Sequence, residues 1–528
     1  MKLTLLCAFA FLLVCSINAQ NSSSFKHFGT TNFEYVISMT PALDGGFYGV
    51  GTSEDGTQAD ALLIKYNASG EVVWSKTYGK PSSDFGLKVI EQENGNLMLA
   101  CNTYSFDATG DYTDILLVNI SPDGNEIWSK VYGGTDYDDL TDLIQYNNGD
   151  FGIVARSSSY SGALIETGLI IRVSSGGDII WSKTFGSNVI QYFYQATKDA
   201  NDNVYAIGNS LVPQQSFNAF VVKINSAGDI SWAKTLGGTG GDIGYALTTR
   251  NDSIWISGVT TSFGLEFPSL YVSCLNANDG ALLWANTYSN SLYQKGNAIL
   301  ANKNGNELVV AGKVSLPLAG DTLDRALVLF VNSNGAITGN KAHIYDKNTN
   351  NSEAWGITEI GEDVFIGGEL FNADDPSGGC LFIRTSWDGN ASCGDSTVTL
   401  EVIAQNFLSQ NVTQTESQEV TFSDENLTVA DLVLDNTTYC EVLSIDLIKE
   451  DNTLIYPNPF SDKVVVEIKN AIEKPTLSIF NLQGALVKSI ALTDSSTIVN
   501  LSELSNGCYV FQILGEHTNA IKKVFHQY

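Results

Sequence analysis

The chain has few positive charges. Against 58 aspartates and glutamates stand 28 lysines and arginines, a net charge of −30 over 528 residues. Such a surface repels phosphate backbones and anionic lipid headgroups, which excludes a nucleic-acid partner and suits a soluble extracellular protein or one that gathers cations. Histidine is rarer still: His27, His343, His517 and His526 are the complete set, and no H-E-x-x-H or other spaced cluster occurs. Zinc hydrolysis is thereby disfavoured. G-x-S-x-G is absent, which argues against a serine nucleophile on an elbow turn, and C-x-x-C is absent, which argues against a zinc ribbon or a thioredoxin-like pair. Beyond the N-terminus no run of 18 uninterrupted apolar residues exists, so no helical membrane span is expected in the mature chain.

The first residues, MKLTLLCAFAFLLVCSINAQ, carry Lys2, a short apolar run and small residues near Ala19. This reads as a secretory signal over 1–19, too short for a membrane span. Cys7 and Cys15 fall within it. Of the six remaining cysteines, Cys101, Cys274 and Cys380 sit singly in strand-like runs and read as small buried apolar residues. Cys393 and Cys440 flank a non-repeating region and are candidate disulfide partners in an exported protein.

One octet recurs. VVWSKTYG at 72–79 returns as EIWSKVYG, IIWSKTFG, ISWAKTLG and LLWANTYS, placing Trp74, Trp128, Trp181, Trp232 and Trp284 at spacings of 54, 53, 51 and 52. Four residues before each lies a glycine, Gly70, Gly124, Gly177, Gly228 and Gly280, and the series continues through Gly335 and Gly389. Seven glycines in register mark seven repeats, each glycine supplying the positive φ of a tight hairpin turn. The first unit contains four strand patterns, at 34–40, 45–52, 60–67 and 71–78. Four short strands per repeat of about fifty residues predict a β-propeller over 20–393, with the tryptophan filling the wedge between neighbouring sheets. The segment FKHFGTTNFEYV at 25–36 mimics SKTYGKPSSDFG, so Phe25–Gly29 is expected to complete the last blade and close the ring. This pattern resembles bacterial outer-surface propeller repeats of the type W-x-K-T-[YF]-G-G, and more distantly the tryptophan-docking propellers of quinoprotein dehydrogenases.

Residues 394–450 break the register and read as a small β-rich connector. The stretch 451–528 follows, with strands and glycine turns that predict a small immunoglobulin-like β-sandwich. It carries Tyr456-Pro457-Asn458-Pro459-Phe460, then Gly484, then Gly507 and Tyr509, and finally Lys522-Lys523-Val524. These motifs, in this order at the C-terminus, closely resemble the type A sorting domain of the type IX secretion system. Cys508 occupies a slot where any small residue usually serves. The resemblance implies export to the periplasm through the signal peptide, passage across the outer membrane with this domain read by the translocon, and a product held at the cell surface or released, often with the tail removed.

For chemistry, one constellation recurs at the start of each innermost strand: Glu34, Asp84, Asp138, Gln191, Asp242, Gln294 and Glu353. In a propeller these positions surround one mouth of the channel. Two readings stay open. Each side chain caps a turn, as Asp usually does at strand edges, or the carboxylates Glu34, Asp84, Asp138, Asp242 and Glu353 bind a polyhydroxylated ligand or a hard cation such as Ca²⁺. Loop acids such as Asp107, Asp111 and Asp114 lack the EF-hand pattern. With no catalytic constellation, the expectation is a non-catalytic propeller that binds glycan, protein or cation, without cofactor. A polysaccharide lyase or glycosidase using two ring carboxylates comes second, and a quinone-linked oxidoreductase third.

Overall fold

The computed structural model describes residues 22–526 except 30–32, 107–110, 161–165, 187–189, 212–215, 291, 319–320, 346–350, 373–374, 388–394, 412–420, 426, 432–434, 444–452, 459, 469–474, 482–485, 493, 505–506 and 515–518. Residues 1–19, read above as a secretory signal, and Cys393 therefore lie outside the described residues, and the strands at 22–29 and 435–443 are described by backbone alone. Two compact units emerge, one over Asn21–Leu443 and one over Ser444–Tyr528.

The first unit is a seven-bladed propeller. Blade 1 is a meander of Phe33–Pro41, Phe47–Glu54, Ala59–Tyr66 and Val72–Gly79. Blades 2 to 6 repeat the pattern, their innermost strands being Asp84–Glu91, Asp138–Gln145, Gln191–Lys198, Asp242–Arg250 and Gln294–Ala301. Blade 7 has three sequential strands, Asn351–Ile360, Asp363–Asn372 and Asp375–Ser386, and borrows its fourth from Ser22–Gly29. That pairing runs from Ser24↔Arg384 to Phe28↔Cys380, as the N-terminal mimicry predicts. The seven innermost strands touch in a closed circle around a central channel. Middle strands read as continuous apolar runs because a neighbouring blade covers each face. Leu62, Leu63 and Ile64 are all inaccessible, with Leu63 packed on Leu97, Leu99 and Leu116 of blade 2 and Leu62 and Ile64 on Phe382 of blade 7.

The octet is an interblade lock. Tyr78, Tyr132 and Tyr288 each donate a hydrogen bond to the carbonyl of the next blade's turn glycine, Gly124, Gly177 and Gly335, at 2.9, 2.6 and 2.6 Å. The indole of Trp284 donates to Ser333 O at 3.1 Å and lies so close over Gly335 (φ +81°) that a Cβ there would fall 2.7 Å from the ring. Glycine thus serves twice at this position, for the turn and for the approach of the tryptophan.

The described strands of the connector form no module of their own, contrary to its reading as a separate β-rich segment. Its strands add one by one to the outer edges of the blades, in the order opposite to that of the chain. Asp395–Thr397 joins blade 6, Glu401–Ala404 blade 5, Leu408–Asn411 blade 4, Thr421–Glu425 blade 2 and Thr428–Asp431 blade 1. Asp435–Leu443 then lies along the closing strand, reaching Ser22↔Leu443. The cause is the unpaired N–H and C=O groups that every outer strand presents. Strands of three to five residues with little apolar surface cannot build a core, but they can satisfy those edges. The propeller unit accordingly ends at Leu443 rather than at 393. Phe407 is a firm anchor of this belt, buried between Phe263 and Tyr271 at centroid distances of 4.9 and 5.0 Å.

The second unit stacks a three-stranded sheet (Thr453–Tyr456, Lys463–Ile468, Ser496–Asn500) on a four-stranded one (Thr476–Asn481, Leu486–Ala491, Gly507–Leu514, Asn519–His526). Alternation places Val464, Val466 and Ile468 against Leu477, Ile479, Phe511 and Ile513 in one core.

Candidate functional site

Every innermost strand carries a β-bulge, at Ile37, Leu87, Thr141, Tyr194, Tyr245, Asn297 and Trp355 in turn. Three residues before the bulge stand Glu34, Asp84, Asp138, Gln191, Asp242 and Gln294, all fully buried. They point away from solvent into the turns. Asp84 accepts from the Lys80 N–H and Ser105 Oγ, both at 2.9 Å; Asp138 from the Gly134 N–H and Ser159 Oγ, both at 2.7 Å; Asp242 from the Gly238 N–H and Ser262 Oγ, both at 2.7 Å. Gln191 donates to Ser210 Oγ at 3.0 Å, Glu34 accepts from Ser53 Oγ at 3.2 Å, and Gln294 bonds Asn290. Burial raises the carboxyls of Asp84, Asp138 and Asp242, that of Asp138 to about 6, with hydroxyl and N–H donors pulling back down. The arrangement ties the loop that enters each blade, and no group of three or more His, Cys, Asp or Glu side chains is placed to hold a metal ion among the described residues.

Glu353 does not belong to this series. In blade 7 the position three before the bulge is Ser352, whose Oγ accepts from the Ala326 N–H at 2.9 Å. Glu353 is one residue further along, and strand alternation turns it to the other face. It shares its register position with Tyr35, Phe85, Asp139, Tyr192, Ile243 and Lys295. The sequence spacing could not reveal this slip because register counts from the bulge, not from the turn glycine.

The channel holds a cavity of about 620 Å³. Five aromatic side chains line it, Tyr35, Phe85, Tyr194, Tyr245 and Trp355, together with Lys88, Asp142, Gln195, Asn297 and Glu369. Tyr194 and Tyr245 meet at 5.3 Å between centroids. The charges concentrate on blades 6 and 7, where two like-charged pairs stand opposite each other across neighbouring strands, Lys295↔Lys313 and Glu353↔Glu369. Like charges so placed are destabilising alone, and the two lysines are offset through Glu353. Glu353 accepts from Lys295 at 2.5 Å, Asn297 Nδ2 at 2.7 Å and Lys313 at 3.2 Å, while Lys313 also meets Asp324 at 2.7 Å. The Lys295 ammonium lies 4.4 Å from the Trp355 ring centre. Glu369 stands apart: burial and the Glu353 charge push its carboxyl up to about 7. The buried indole N–H of Trp355 faces it without a well-formed hydrogen bond. Sequence reading missed Glu369 because it lies on a second strand; its only signal is an acid within the apolar, glycine-containing run VFIGGELF.

In the sorting-type motif Phe460 is buried, its ring 4.7 Å from that of His526, and Tyr509 is buried with it. Pro457 and Asn458 are exposed, as is Gly507, and Lys522 is half-buried. Pro459 and Gly484 lie outside the described residues. Cys101 and Cys274 are buried thiols, raised by desolvation. For the Cys393–Cys440 pair only the Cys440 backbone is described.

Residues 454–527 match the family described as the secretion system C-terminal sorting domain. Among curated protein sequences none matches the chain. Solved structures similar to it include Sqt1 from Chaetomium thermophilum, 9% identical, covering 70% of this chain and 99% of that one with a TM-score of 0.36. The polysaccharide lyase Uly1 is 10% identical, with 68% and 93% covered and a TM-score of 0.43. PorZ, a surface component of the type IX secretion system of Porphyromonas gingivalis, is 9% identical, with 95% and 100% covered and a TM-score of 0.27. The chain is a seven-bladed β-propeller protein that ends in a secretion system C-terminal sorting domain.

Proposed function

We propose that the propeller is a non-catalytic binding module, carried out of the cell by the type IX machinery through residues 451–528 and shown at the surface or released, with a glycan as its ligand. The sorting family supports the export half. The observation that carries the binding half is the channel cavity, where five aromatic rings stand among amide, hydroxyl and carboxyl groups. Sugars present apolar C–H faces and hydroxyl edges, and such a lining answers both. A glycan array probed with the full chain, beside a Tyr245→Ala/Trp355→Ala double variant, tests it. Retention of the wild type and loss in the variant is the expected pattern; equal retention, or none by either, removes the channel as the binding site.

A second reading, an extracellular polysaccharide-active enzyme, draws on one observation. Glu353 and Glu369 are cross-strand neighbours in unlike surroundings, Glu353 bound by two lysines and Glu369 without an ion pair among the described residues and raised by burial to about 7. That is how an acid and a base are set apart in glycoside cleavage. Release of reducing ends from any glycan retained on the array would favour it.

A further inference from the structure

We propose that the channel site selects a cationic sugar, one bearing an amine or ammonium group, with Glu369 as its counter-ion and Tyr35 and Trp355 as flanking rings. This rests on the glycan reading above and sharpens it. The other carboxylates around the cavity are matched: Glu353 by Lys295 and Lys313, and Asp142 by Lys88 at 3.3 Å. Glu369 lines the cavity and forms no ion pair with any described residue. Counting Lys295 and Lys313 against Glu353, Asp324 and ionised Glu369 leaves one negative charge. The walls tolerate an ammonium, since that of Lys295 rests 4.4 Å from the Trp355 ring centre and 5.8 Å from that of Tyr245. Aromatic rings around a carboxylate are the general solution for organic cations. A uronate or sulfate would meet a like charge instead.

The groups facing Glu369 are Glu353 and Trp355 on its own blade, Lys295 and Lys313 on blade 6, and Tyr35 on blade 1. Burial and Glu353 hold a proton on Glu369 up to about pH 7. An arriving cation favours the ionised form. Binding below neutrality should therefore expel a proton and weaken as pH falls.

Calorimetric titration of the full chain tests this with three oligosaccharides of equal length: N,N,N-trimethyl chitosan, whose charge is fixed, its N-acetylated counterpart, and an oligouronate. At pH 7.5 the trimethylated oligomer should bind about tenfold tighter than the acetylated one, with the uronate weakest. Between pH 7.5 and 5.5 its affinity should fall about tenfold, with heats at pH 6.5 that differ between phosphate and imidazole buffers because a proton is released. The acetylated oligomer should show neither effect. Glu369→Gln should abolish the preference and the pH dependence while retaining the acetylated oligomer. Equal affinity for cationic and acetylated oligomers, or a preference that survives Glu369→Gln, overturns the cation site and leaves the glycan reading standing. Failure of all three to bind overturns both. The pH linkage of the wild type needs no variant, so a Glu369→Gln chain that fails to fold still leaves a decisive readout.

Discussion

The propeller and the C-terminal sandwich are both all-β, yet they are assembled on different principles. In the sandwich, no described bridge joins residues more than about 66 apart, the span from Phe460 to His526, and one core serves both sheets. In the propeller, Ser22 pairs with Leu443 and Phe28 with Cys380, so the ring is closed by contacts spanning almost the whole unit. Local pairing makes a module that can be moved between proteins; ring closure makes a unit that tolerates no missing end.

The comparison breaks most visibly on truncation. A chain cut after Leu443 should keep the propeller's cooperative melting transition, whereas one cut at 394 exposes outer edges on six blades and should aggregate or lose that transition, as followed by calorimetry and light scattering. Coincident melting of the two would mean that the belt is ornamental. In host-cell fractionation, the chain ending at Leu443 should stay inside the outer membrane.

Phe460→Ala removes a buried ring from the sandwich core and should destabilise that unit by about 3–5 kcal/mol. The propeller transition should not move, and a shared shift would show that the two units melt as one. Trp284→Ala, by contrast, should cost the propeller about 3 kcal/mol through lost packing and the bond to Ser333, visible as a lower denaturant midpoint at unchanged sandwich stability.

The smallest effect is electrostatic. The Asp138 carboxyl sits near 6 when folded, above its ordinary value of about 4 when unfolded. Between those values the folded chain holds a proton that the unfolded chain has released, so stability falls as pH rises through this window and is unaffected below it. Asp138→Asn should flatten that slope by about 1–2 kcal/mol. An unchanged pH profile would show that the hydroxyl and N–H donors fully offset the burial.

Much of the ring was legible because its signals are chemical. Glycine at a positive φ has few substitutes, so Gly70, Gly124, Gly177, Gly228, Gly280 and Gly335 stand in the turns where the spacing put them. The tryptophan and tyrosine of the octet recur because each blade must meet the next through the same contact. The belt was illegible for the opposite reason. Backbone pairing on an edge asks almost nothing of side chains, and strands such as Glu401–Ala404, exposed throughout, leave no periodic trace. The site was half legible. Residue type and spacing found the buried carboxylates of the turns, but the channel side chains depend on a bulge, which shifts register without any mark in composition. Hence Glu353 was grouped with residues that face the other way, and Glu369 was not found.

The belt also ties the end of the propeller unit to its beginning. It retraces the blades from the sixth back to the first and finishes against the strand at Ser22–Gly29, the first segment of the unit to be made. The last belt strand, Asp435–Leu443, lies on the closing strand Ser22–Gly29, which in turn lies on Asp375–Ser386 of blade 7. One eight-residue strand is thus held on both sides, so the first and last segments of the propeller unit stand or fall together.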